Sequence, residues 1–122
     1  MEAVTGIGGV FLRAKDPAAL AAWYAANLGV AIENEGGTYS TLAASDGDQT
    51  VWATFSHDTD SFGRPEQQAM VNYRVRDLDA MLAQLRAAGV AVEERIEELE
   101  FGRFGWAVDP EGNRFELWQT AA

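Results

Sequence analysis

The second half of the chain repeats the pattern of the first: Asp77 lies 77 − 16 = 61 positions after Asp16, in a length of 122. At that offset Gly9-Val10-Phe11-Leu12-Arg13-Ala14-Lys15-Asp16 sits over Met70-Val71-Asn72-Tyr73-Arg74-Val75-Arg76-Asp77. Each run leads into an Ala/Leu-rich stretch that stops at a glycine followed by valine, Gly29-Val30 and Gly89-Val90. A repeat of half-domain length means two copies of one supersecondary unit. Such a duplication allows few folds.

Residues 9–14 and 70–75 alternate as strands do, with Val10, Leu12 and Ala14 on one face and Gly9, Phe11 and Arg13 on the other. The second copy divides in the same way, Val71, Tyr73 and Val75 against Met70, Asn72 and Arg74. Each strand ends at an Asp placed to cap a helix, and Pro17 follows the first Asp where its missing N–H costs nothing. Helices are predicted over about 17–28 and 78–88, with left-handed stops at Gly29 and Gly89. Three further strands are predicted after each helix, over about 30–35, 38–43 and 49–56, then 91–97, 101–108 and 113–119. Breaks fall at Gly36-Gly37, at Ser45-Asp46-Gly47-Asp48, near Gly102 and at Asp109-Pro110-Glu111-Gly112. Each half reads β-α-β-β-β. The polar segment 57–68 is long enough to cross between them. One α+β domain over 1–122, built from repeats of about 1–60 and 61–122, is the resulting expectation.

An apolar content of 48% suffices for a core, and zero cysteines exclude disulfides, thiolate metal sites and a catalytic thiol. A formal charge of −10 argues against a nucleic-acid partner, whose phosphates demand clustered Lys and Arg. No run of 18 apolar residues and no basic-then-apolar leader is present, so no membrane partner and a soluble, cytoplasmic protein are expected.

The repeated strand–Asp–helix–Gly units, with the ending Asp109-Pro110-Glu111-Gly112-Asn113-Arg114-Phe115-Glu116-Leu117-Trp118, resemble the vicinal oxygen chelate superfamily. That superfamily holds glyoxalase I, extradiol dioxygenases, fosfomycin resistance proteins and bleomycin-binding proteins. The resemblance covers nearly the whole chain and implies tandem βαβββ modules that form a concave, partly open, barrel-like sheet. In the enzymes it resembles, a divalent metal sits in the concavity on ligands at fixed strand positions, the first seven residues before the capping Asp. Here those positions hold Gly9 and Met70, and the ligand strand of the first half offers Trp52 if Val51, Ala53 and Phe55 face the helices. Only Glu116 remains as a donor, and one carboxylate cannot supply the three or so protein ligands of a catalytic ion. The sole histidine, His57, reads as an exposed loop residue. Neither a metal nor another cofactor is expected.

In place of ligands the inward face carries aromatics: Phe11, Trp52, Trp118 beside Glu116, and Trp106 at a position that contacts substrate in the fosfomycin resistance proteins. Asn72, Arg74 and Arg13 supply polarity, an arginine there being able to clamp a carboxylate or phosphate or to pair with Glu116. The run Glu93, Glu94, Glu97, Glu98, Glu100 reads as a solvated edge, or alternatively as an acidic rim for a cationic ligand. The leading expectation is metal-independent binding of a small aromatic or amphipathic molecule by Phe11, Trp52, Asn72, Arg74, Trp106, Glu116 and Trp118. Two alternatives stand beside it: a metal-dependent lyase, isomerase or dioxygenase, and a degenerate member whose rings fill the core. The resemblance also implies a homodimer with a shared cleft.

Overall fold

The computed structural model describes residues 1–34, 36–43 and 47–121. Its chain order is β1 (Val4–Ala14), α1 (Pro17–Leu28), β2 (Tyr39–Ala43), β3 (Gln49–Ser56), β4 (Ala69–Val75), α2 (Leu78–Ala87), β5 (Ala91–Val92), β6 (Glu97–Leu99), β7 (Gly102–Val108) and β8 (Arg114–Thr120). The fold class is α+β, as expected. Contacts divide the chain into two compact units, Gly9–Met70, and Met1–Gly8 with Val71–Ala122.

Both helices start by the same device. Asp16 and Asp77 adopt extended backbone (φ −135° and −139°), and each carboxylate accepts the N–H three residues on, from Ala19 at 3.1 Å and Ala80 at 3.0 Å. That contact satisfies one of the donors that a helix N-terminus leaves orphaned. Gly29 ends α1 in the left-handed conformation at φ +69°, where a Cβ would be strained.

In the unit Gly9–Met70, β1 pairs in parallel with β3 and β3 pairs antiparallel with β2. The register sets Val10 beside Trp52 and Leu12 beside Thr54, so Trp52 belongs to the helix-facing set. Its ring meets Tyr24 of α1 at 4.9 Å, and the Thr54 hydroxyl donates to the Pro17 carbonyl at 2.8 Å. Placing Trp52 on the face away from the helix is therefore overturned. The reason is steric: half of α1 is alanine, with Ala21 fully buried, and small side chains leave room for an indole. Phe11 does lie on the opposite face, where its ring meets Phe55 at 5.3 Å and Phe55 meets Phe62 at 5.3 Å. Phe62 is wholly buried, so the polar crossover carries an apolar anchor.

In the other unit, β4 runs parallel to β8, β8 pairs antiparallel with β7, and both β5 and β6 pair antiparallel with β7. The helix-facing side forms the core: Val75, Leu78, Met81, Leu82 and Leu117, with Tyr73, Leu85, Val92 and Phe115 packed against it. Gly105 lets α2 approach, since a Cβ there would sit 3.3 Å from Leu82. Two predicted strands differ. Residues 30–34 form no strand, because the chain turns where the Gly37 N–H donates to the Asn34 carbonyl at 2.7 Å. Segment 91–97 is interrupted, leaving two short pieces on β7. Glu35 of the first strand and Ser45-Asp46 of the predicted break lie outside the described residues.

Candidate functional site

Away from α2, strands β4, β8 and β7 present one face whose cross-strand pairs bring polar and aromatic groups together. Asn72 pairs with Glu116, Arg74 with Trp118, Phe104 with Trp118, and Trp106 with Glu116. At the centre Glu116 accepts two hydrogen bonds, from Asn72 Nδ2 to Oε1 at 2.6 Å and from Trp106 Nε1 to Oε2 at 2.9 Å. Burial pushes the Glu116 carboxyl above the ordinary carboxylate range, against the two hydrogen bonds and the Arg114 charge, which act to lower it. Asn72 is buried, and its Oδ1 has no hydrogen-bond partner among the described residues. That oxygen points at Gly8 of β1, where a Cβ would come within 2.2 Å of it and 2.8 Å of Trp118 Cε3. Gly8 is thus needed for the approach of Asn72. The Arg74 side chain lies over the same strand, its Nη2 2.9 Å from the Cβ position of Gly6.

Trp106 is 5% exposed, and its ring lies under two guanidinium groups, Arg95 at 4.5 Å and Arg114 at 5.1 Å from the centroid. Its indole supports Glu116 and does not offer a free face. Arg114 is held by a bidentate pair with Glu93, at 2.6 and 2.9 Å, and Arg114 in turn holds the Glu93 carboxyl below its usual range. Arg95 pairs with Glu97, and Arg103 pairs with Glu98 at 2.9 Å and with Asp79 at 3.1 Å. Three members of the acidic run are thereby occupied by arginines, which counts against a free acidic rim. Trp118 stacks on Phe104 at 5.6 Å and 11°, donates Nε1 to the Phe101 carbonyl at 3.0 Å, and remains partly exposed.

The structure thus brings together Asn72, Arg74, Trp106, Glu116 and Trp118 within one unit, whereas Phe11 and Trp52 belong to the other, on opposite faces of its strands. Arg13 is no anion clamp: its guanidinium donates to the backbone carbonyls of His57, Thr59, Arg64 and Gln67. Arg114 and Arg95 were missed from the sequence. Two-residue alternation from Glu116 places Arg114 on the site face, but nothing in the pattern locates Arg95, which lies between two short strands.

The metal of the superfamily's enzymes does not fit these residues. Both Glu116 oxygens face N–H donors, Trp52 is turned to α1, and Met70 is a buried thioether, unsuited to hard divalent ions. Gly9 leaves no room for a ligand side chain, since a Cβ would meet Phe11 Cζ at 2.9 Å and the Val51 carbonyl at 3.1 Å. Among the described residues no group of three or more His, Cys, Asp or Glu side chains could hold an ion.

Comparison with known proteins gives the fold a family. Solved structures similar to the chain include methylmalonyl-CoA epimerase from Mycobacterium tuberculosis, at 23% identity and TM-score 0.68, covering 98% of this chain and 90% of that one. A single-residue variant of the Streptomyces coelicolor methylmalonyl-CoA epimerase, in complex with 2-nitronate-propionyl-CoA, matches at 20% identity and TM-score 0.72, covering 98% and 100%. The Mn(II)-bound glyoxalase from Novosphingobium aromaticivorans matches at 19% identity and TM-score 0.66, over 98% of this chain and 40% of that one. No curated protein matches significantly in sequence. Among the described residues no helix is long and apolar enough to cross a membrane. The profile of the glyoxalase-like domain matches residues 9–118, and the chain belongs to that family.

Proposed function

We propose that this glyoxalase-like domain binds a small aromatic or amphipathic molecule without a metal, on the face built from Asn72, Arg74, Glu116 and Trp118. The observation that carries this reading is that both Glu116 oxygens already accept N–H bonds, from Asn72 and Trp106, so it serves as a polar anchor. Trp118, partly exposed and backed by Phe104, is the indole a flat ligand can reach. A second reading, proton transfer by Glu116, draws on the burial that pushes its carboxyl up. The filled-face alternative draws on the Phe104–Trp118 stack.

The test has two arms. Elemental analysis of protein purified without chelator should find no stoichiometric metal; near one ion per chain, lost on Glu116→Ala, overturns metal independence. Neutral and cationic flat aromatics should quench tryptophan emission saturably and raise Tm, and Trp118→Ala should abolish both effects. If no compound changes either quantity, the binding reading fails and the filled face stands. Turnover of a substrate abolished by Glu116→Gln would replace binding with catalysis.

A further inference from the structure

The unit Gly9–Met70 holds an open cleft of about 740 Å³, formed where the end of β1 and the start of α1 meet the crossover. Its volume lies within the range of small-molecule sites, roughly 300–1,000 Å³. The chain has a single lysine and a single histidine, and both Lys15 and His57 line this cleft with Trp23, Leu20, Pro65 and Gln68. Trp23 is 54% exposed, a large aromatic surface left in water on a helix without one charged residue. Lys15 has no hydrogen bond or ion pair among the described residues, and the His57 ring has no hydrogen bond there. Two carboxylates stand close by: Asp16, which also lines the cleft, accepts the Ala19 N–H, and Asp58 accepts from the Ser56 hydroxyl while its charge also feels His57. In a chain of net charge −10, cationic and donor groups beside an exposed indole form a local exception.

The wall that carries His57 and Pro65 is also fixed in advance. Arg13 donates Nε to the Gln67 carbonyl at 2.9 Å, Nη1 to His57 at 2.7 Å and Thr59 at 3.0 Å, and Nη2 to Arg64 at 3.3 Å. Its guanidinium carbon stands 5.1 Å from the ring of the buried Phe62, and its N–H donates to the Gln68 carbonyl at 2.8 Å. Preorganisation of this kind lowers the ordering cost that a ligand would otherwise meet.

The geometry points to a second binding site, separate from the Glu116 face, for a planar aromatic anion. The ring lies on Trp23 and Pro65, and the anionic group faces the Lys15 ammonium and an imidazole N–H of His57. This assignment does not depend on the Glu116 reading.

A titration with 2-naphthoate tests it, because the sole imidazole and the Trp23 indole N–H give separate NMR reporters. Both signals should shift saturably with one affinity. Trp23→Ala should weaken binding about tenfold, the upper end of a ring–ring contact. Lys15→Ala should weaken it about threefold, as for an exposed ion pair, and neutral 2-naphthamide should bind correspondingly more weakly. Trp23 and Lys15 are exposed, so an unchanged Tm should accompany both substitutions. Trp118→Ala should leave the titration as it is. Absence of a saturable shift at His57 and Trp23 overturns the site. So does a shift indifferent to Trp23→Ala and Lys15→Ala, or one lost only with Trp118→Ala.

Discussion

Glu116 is held by opposed forces, and their balance sets a pH signature. Desolvation favours the neutral acid, while Asn72 Nδ2 and Trp106 Nε1, both donors, favour the carboxylate. Because desolvation prevails, the folded-state value lies above that of the unfolded chain. The carboxyl's contribution to stability is then fully present below the unfolded value, about pH 4.3, and is lost as pH rises through the raised folded value. Glu116→Gln removes this titration. Urea midpoints of the wild type and the glutamine variant, measured across pH, should diverge in glutamine's favour as pH rises through that window and run parallel above it. A gap independent of pH would contradict the raised carboxyl. The orphaned Asn72 Oδ1 offers a way to accommodate the variant: if the amide turns over, that oxygen accepts from the new side-chain N–H.

At the scale of elements, the repeat read from the sequence was physically informative because both copies use the same chemistry at the same points. The two Asp caps, the glycine stop of α1 and the alternation of β4 and β8 are local signals, and all are present as read. Cross-strand partners were less legible. Trp52 alternates correctly along β3, but its face depends on the parallel register with β1, and register is not a local property. Likewise the Glu116–Asn72–Trp106 contact joins three strands that only the fold sets side by side. The arginines over Trp106 owe their place to the pairs with Glu93 and Glu97, which a charge run alone does not disclose. The corrected position of Trp52 makes a stability prediction. At 8% exposure against Tyr24, Trp52→Ala should cost roughly 3–5 kcal/mol, as truncation of a buried tryptophan does. Trp23→Ala on α1 should fall within about 0.5 kcal/mol of wild type, being an exposed substitution. Chemical denaturation of both variants compares them directly. Equal losses would mean that Trp52 does not pack against the helix.

For the whole molecule, the sheet margins raise the question of self-association. β2 pairs with β3, and the segment before it reaches its first residues, the Glu33 N–H donating to the Tyr39 carbonyl at 3.0 Å and the Ser40 hydroxyl to the Ala31 carbonyl at 2.6 Å. Tyr39 and Leu42 remain exposed by 42% and 40%, with no charged residue in the strand. An uncharged, partly apolar edge is a template for another strand unless something covers it. β5, by contrast, is two residues long, too short to recruit a partner. Two copies that meet on a two-fold axis set the same patch against itself, so a charge close to the axis opposes its own copy. With −10 on each chain, an uncharged strip such as β2 adds no local repulsion to that of the whole chains. A homodimer is therefore predicted, and its association should tighten as salt rises from roughly 0.01 to 0.15 M, where the screening length falls from about 30 to 8 Å and mutual repulsion weakens. Tyr39→Glu and Leu42→Lys should each shift the equilibrium toward monomer without lowering the melting temperature of the monomeric chain. Sedimentation at micromolar concentration gives the answer: a single 13.3 kDa species at every salt concentration would rule the dimer out, and a dimer indifferent to both substitutions would move its interface away from β2.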